Sequence, residues 1–198
     1  MDDYFEIFEL PRRLQVDLED LQRRFYALSR LHHPDFHQLA GDEAQSASLE
    51  RSALVNRAYR VLRDPFSRVA YLLALEEGRG VGDGGAIKPQ APMDLLEEML
   101  EVQEALEKAK AAGLESPAGQ RMVQERQRLM DRQAGGETTI VERFVDWDRA
   151  VDEQADTRPL LVWFRQALAA RAYVRTVLDD IDEALGEDRE GHVAHRRN

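Results

Sequence analysis

From Asp17 the chain reads Leu18-Glu19-Asp20-Leu21-Gln22-Arg23-Arg24-Phe25-Tyr26-Ala27-Leu28-Ser29-Arg30-Leu31-His32-His33-Pro34-Asp35. Leu18, Leu21, Phe25, Leu28 and His32 recur at intervals of three and four, the spacing of one buried helical face. Asp17, Glu19 and Asp20 stand in the first turn and Arg23, Arg24 and Arg30 lie further along, an order that suits the helix dipole. Pro34 disfavours helical geometry at His33 and stops the helix there. A second run, predicted to be helical from about residue 42 to 63, carries Leu54, Val55, Ala58, Tyr59 and Leu62 and ends at Asp64-Pro65. The two runs predict a helical hairpin with His33-Pro34-Asp35 in its turn.

Working outward from that hairpin, residues 4–10 read as a short helix ended by Pro11, and residues 66–77 as a fourth, strongly apolar one. Residues 78–92 hold five glycines and two prolines, the composition of a linker. Beyond it, helical spacing predicts elements over about 94–112, 118–134, 137–153 and 159–185, with Gly135-Gly136 breaking the second from the third. Residues 187–198 are too polar to pack. No stretch alternates in the way a half-buried strand does, so the fold class is all-α. The expected organisation is a first domain over 1–77, a linker over 78–93, a helical domain over 94–186 and a polar tail.

Composition narrows the function. A net charge of -11 repels nucleic acid and anionic membranes, and no apolar run approaches the roughly 20 residues of a membrane span. With no cysteine, the chain forms no disulfide and offers no thiolate nucleophile or metal ligand. The acidic start, Met1-Asp2-Asp3-Tyr4, is unlike a leader sequence, and a reducing cytoplasm is the expected location. The glycine-rich segment lacks the lysine and flanking strand of a phosphate-binding loop. His32, His33, His37 and Asp35 have metal-ligating chemistry but no ligand spacing, because Pro34 divides them. Neither a cofactor nor a catalytic constellation is expected.

The helix order, the His33-Pro34-Asp35 turn and the ending Asn56-Arg57-Ala58-Tyr59-Arg60-Val61-Leu62-Arg63-Asp64-Pro65 resemble the J-domain family over residues 1–77. The resemblance implies that His33, Pro34 and Asp35 dock on the ATPase of a DnaK-class chaperone, with Arg23, Arg24 and Arg30 making the electrostatic approach. The residue chemistry agrees with that role. Pro34 stiffens the turn and so reduces the entropy lost on docking. Asp35 can accept a charge-assisted hydrogen bond worth about 1.5–3 kcal/mol.

The rest of the layout resembles the HscB-type J-domain co-chaperones of iron–sulfur cluster assembly. The likeness rests on Asp3-Tyr4-Phe5-Glu6-Ile7-Phe8, Arg68-Val69-Ala70-Tyr71-Leu72-Leu73 and Leu100-Glu101-Val102-Gln103-Glu104-Ala105-Leu106. It implies an HscA-like chaperone and an IscU-like scaffold as partners, the scaffold being held by Leu96, Leu100, Glu101 and Glu104 with Tyr173 as an aromatic partner. Read as residues alone, Leu95, Leu96, Met99, Leu100, Val102 and Leu106 form the core seam of a helical bundle, with Glu97, Glu98, Glu101 and Glu104 as its solvated flank. The alternative within the same family is a J-domain protein with another client or a self-associating second domain.

Overall fold

The computed structural model describes residues 3–32, 42–78, 93–113 and 115–195. Among them are eight helices and no strand: α1 (Tyr4–Ile7), α2 (Leu18–Leu31), α3 (Asp42–Arg63), α4 (Pro65–Glu76), α5 (Met93–Ala112), α6 (Pro117–Glu142), α7 (Phe144–Asp152) and α8 (Arg158–His195). No helix is long and apolar enough to cross a membrane, among the described residues. The all-α expectation holds. The chain divides into two compact units, Met1–Ala86 with Arg143–Leu161, and Ile87–Glu142 with Val162–Asn198.

In the first unit the caps follow from local sequence. Asp3 caps α1 by accepting from the Phe5 N–H at 2.9 Å. The helix is shorter than the sequence predicts, because Glu9 takes a left-handed φ of 51°. The N–H groups of Glu9 and Leu10 turn back to the carbonyls of Glu6 and Phe5, which closes the helix before Pro11 is reached. Asp17 caps α2 through Glu19 N and Asp20 N. Asp64 ends α3 and caps α4 by accepting from Ser67 N at 2.7 Å, and Pro65 supplies the first α4 residue, where a missing N–H costs nothing.

Phe5, Phe8, Leu14, Leu21, Val55, Ala58, Leu62, Val69, Leu72 and Leu73 are buried in this unit. Polar groups pin it at defined points. The Tyr71 hydroxyl accepts from Tyr4 N at 2.8 Å and donates to the buried Asp3 carboxylate at 3.2 Å, with the Tyr4 and Tyr71 rings stacked 4.3 Å apart. Arg12 Nε donates to the same carboxylate at 2.6 Å. Burial, with Asp3 alongside, pushes the Tyr71 hydroxyl well above the usual tyrosine range.

Sequence periodicity places residues 143–161 in the second domain, whereas in the structure they complete the first. Phe144 and Trp147 of α7 are buried there. The buried Asp148 carboxylate accepts from Leu14 N at 2.8 Å and Gln15 N at 3.0 Å, satisfying two amides of the α1–α2 connection. Arg13 pairs with Asp152. The Arg68 guanidinium donates to the Leu62 carbonyl and lies 5.5 Å from the Phe144 ring centre. Hydrophobic spacing on α7 shows that it buries a face but not which core receives it.

The second unit is built from α5, α6 and the greater part of α8. Leu95, Met99, Val102 and Leu106 pack with Met122, Leu129, Val174, Val177, Leu178 and Ile181 in one apolar seam. Ion pairs span the helices: Glu98 with Arg128 and Arg132, Asp182 with Arg126, and Glu137 with Arg171. The expected break at Gly135-Gly136 is absent, and α6 runs through both glycines. Both are exposed with nothing near the position of a Cβ, and the Thr138 and Thr139 hydroxyls donate back to Ala134 O and Gly135 O. Buried Ile140 and the Glu137–Arg171 pair hold the far end in place, so packing overrides the roughly 1 kcal/mol that each glycine costs a helix. The linker lies almost wholly outside the described residues. Of the predicted tail, the backbone to His195 continues α8.

Candidate functional site

His33, Pro34 and Asp35 lie outside the described residues, but the framework that leads into them is described. His32 caps α2, its N–H donating to Leu28 O at 3.0 Å. Its own carbonyl accepts from the buried Ser48 hydroxyl of α3 at 3.0 Å. Farther back, Phe25 and Tyr59 stack 4.1 Å apart with ring planes within 14°. The helix ahead of the tripeptide is therefore fastened to α3 by a ring stack and by a hydrogen bond to its last carbonyl. The metal-ligating set suggested by sequence also falls mainly outside the described residues; within them, no group of three or more potential ligands converges.

The three arginines of α2 differ in their placement. Arg24 is half-buried and structural: Nε donates to Asp20 at 2.7 Å, while Nη1 donates to the Phe8 carbonyl at 2.9 Å and also pairs with Glu9. It ties α2 to the turn that ends α1. Arg23 donates to the same Asp20 at 2.9 Å but keeps its side chain 69% exposed. Hydrogen bonds from Arg24 and then Arg23 hold the Asp20 carboxyl below the usual aspartate range. Arg30 is exposed in the last turn.

A second candidate surface lies on α5. Leu95, Met99, Val102 and Leu106 face inward, whereas Leu100 is 58% exposed and Glu101 and Glu104 are exposed. Leu96 and Tyr173 are partly buried and pack against the core, so neither projects into solvent as Leu100 does. Met93 is more exposed than Leu100 and stands seven residues before it, on the same helical stripe. The sequence reading placed Met93 in the linker over 78–93, whereas α5 begins at it, and the spacing to Leu100 was there to be read. Glu101 turns toward a groove of about 310 Å3 between α5 and α6, lined also by Val102, Ala105, Arg121 and Met122.

Comparison with known proteins speaks to the fold and to the first domain. A DnaJ domain model matches residues 3–71. The crystal structure of human co-chaperone protein HscB is 26% identical, with a TM-score of 0.62 over 92% of this chain and 81% of that one. Chaperone HscB from Vibrio cholerae, 22% identical, shares the fold with a TM-score of 0.63 over 94% of this chain and 99% of its own. The chain thus carries a DnaJ domain over residues 3–71 and is similar in fold over most of its length to the HscB co-chaperones.

Proposed function

We propose that the protein delivers an iron–sulfur cluster scaffold of the IscU kind to an HscA-like chaperone in the cytoplasm and stimulates that chaperone's ATPase. ATP hydrolysis belongs to the partner, and the protein acts as an adaptor without chemistry of its own. The observation that carries the reading is one chain combining a J-type hairpin with an α5 surface on which Leu100 stands exposed beside Glu101 and Glu104. An exposed leucine bordered by carboxylates suits a client that presents an apolar patch with basic groups around it. His33, Pro34 and Asp35, with Arg23 and Arg30, are the proposed chaperone contacts, and Arg24 supports them by holding α2. Leu96, Leu100, Glu101 and Glu104, flanked by Tyr173, are the proposed scaffold contacts.

Single-turnover ATPase of an HscA-like chaperone, with this protein and a scaffold added separately and together, tests the reading. The expected result is synergistic stimulation that Asp35→Asn reduces at least about tenfold, the equivalent of about 1.4 kcal/mol in the coupled step. Stimulation without synergy would leave a J-domain protein with a different client. Wild-type protein that stimulates neither this chaperone nor DnaK would overturn the proposal.

A further inference from the structure

α6 exposes apolar side chains in an order that reads the same from either end. Val123, Gln127, Met130, Ala134, Glu137 and Val141 follow at intervals of four, three, four, three and four. At 100° per residue they form one stripe about 80° wide and about 27 Å long. Val123, Met130 and Val141 are 51%, 39% and 44% exposed, and Ala134 is exposed between them. The buried Met122, Leu129 and Ile140 lie about 110° round the helix, so core packing does not account for the stripe. Beside it, Met130 and Ala134 line a groove of about 280 Å3 between α6 and α8, together with Leu178.

A stripe of this order is what two copies of one helix need in order to meet about a two-fold axis, where residue i contacts j and j contacts i. With the axis between Met130 and Ala134, antiparallel copies set Val123 against the second copy's Val141 and Met130 over its Ala134, a large side chain over a small one, and each contact is made twice. Gln127 then meets the second copy's Glu137. Within the protomer Gln133 and Arg171 both donate to Glu137 Oε1, which leaves Oε2 for that amide. Charge runs in the same sense. The first half of α6 carries Arg121, Arg126 and Arg128 against Glu125, and the second half carries Asp131, Glu137 and Glu142 against Arg132. The helix is therefore neutral as a whole in a chain of net charge -11, and antiparallel pairing lays its basic half on the acidic half of the other copy. We infer that α6 docks antiparallel on α6 of a second copy of this chain, forming a two-fold homodimer. The contact uses none of the residues assigned above to the chaperone or the scaffold, and it stands independently of those partners.

Sedimentation velocity of the full-length protein from about 10 µM to 1 mM, a range suited to a small interface, tests the inference, with thermal melts of every variant. The wild type is expected to shift from monomer toward dimer as concentration rises. Ala134→Glu puts a carboxylate under Met130 at the axis and should raise the dissociation constant at least about tenfold, with the melting midpoint unchanged because the position is exposed. Val123→Lys and Val141→Glu should each weaken the dimer and together restore it, since in this register every new cation faces a new carboxylate of the other copy. Wild-type protein that stays monomeric throughout the range overturns the inference. A dimer that Ala134→Glu leaves intact overturns it too, as does one that Leu100→Glu alone dissociates, which would place the contact on α5. Should Ala134→Glu lower the melting midpoint, the paired substitution decides: restored association supports the antiparallel register, and its absence overturns it.

Discussion

The two units of this chain are held together by different means. The first is fastened at separate points by buried polar groups: Asp3 with Tyr71 and Arg12, Ser48 with the His32 carbonyl, and Asp148 with two backbone amides. The second rests on a continuous apolar seam, with ion pairs spanning its helices mostly near the surface. Directional bonds fix register and orientation, whereas an apolar seam tolerates small shifts so long as volume is conserved. The contrast suits the proposed roles, in which one unit presents a short turn in one geometry and the other accommodates a client.

The strongest way to break this contrast is Leu129→Ala, which removes a fully buried side chain from the second unit. It should cost about 2–5 kcal/mol in chemical denaturation, the range for a cavity in a packed core. Hydrogen exchange should speed up throughout α5, α6 and α8, and a loss confined to α6 would show that the seam is not continuous. In the first unit, Asp148→Ala leaves the Leu14 and Gln15 amides without their acceptor and should cost roughly 2–3 kcal/mol. Exchange should then rise at those two amides and in α7. Asp148→Asn keeps one acceptor oxygen and should fall between; if it proved as damaging as alanine, the negative charge rather than the hydrogen bonds would be what holds this point.

The smallest expected effect sharpens the comparison from the other direction. Gly135→Ala places a methyl group in open space within α6 and should stabilise the protein by about 0.5–1 kcal/mol. A destabilising result in thermal melts would mean that the helix is strained at these glycines.

Much of the fold was legible before any coordinates. Asp17 and Asp64 are local signals, and both cap helices at or within a residue of the expected positions. The α2–α3 hairpin followed from three-and-four spacing and Pro34, because both act within a few residues of themselves. Glu9 was not legible: a glutamate at left-handed φ follows from amides turning back to α1 carbonyls, with Arg24 pairing with its carboxylate, and not from its own preference.

For the candidate sites, sequence named the residue types and their approximate faces, but it could not rank exposure within a face. Leu96 and Leu100 look alike as letters four apart; in the structure one packs against the core and the other is largely exposed. Arg23 and Arg24 look equally available, yet only the fold shows Arg24 bonded to the end of α1.

By itself the sequence determined the all-α class, the J-type hairpin with its caps, and the exclusion of thiol chemistry, since each depends on composition or on neighbours within a turn or two. The tertiary structure alone decided that α7 completes the first unit, that α6 passes through two glycines, and which arginine belongs to the fold. Those outcomes turn on contacts between residues far apart in the chain, such as Asp148 with Leu14 and Glu137 with Arg171, and their energies outweigh the local preferences from which a sequence is read.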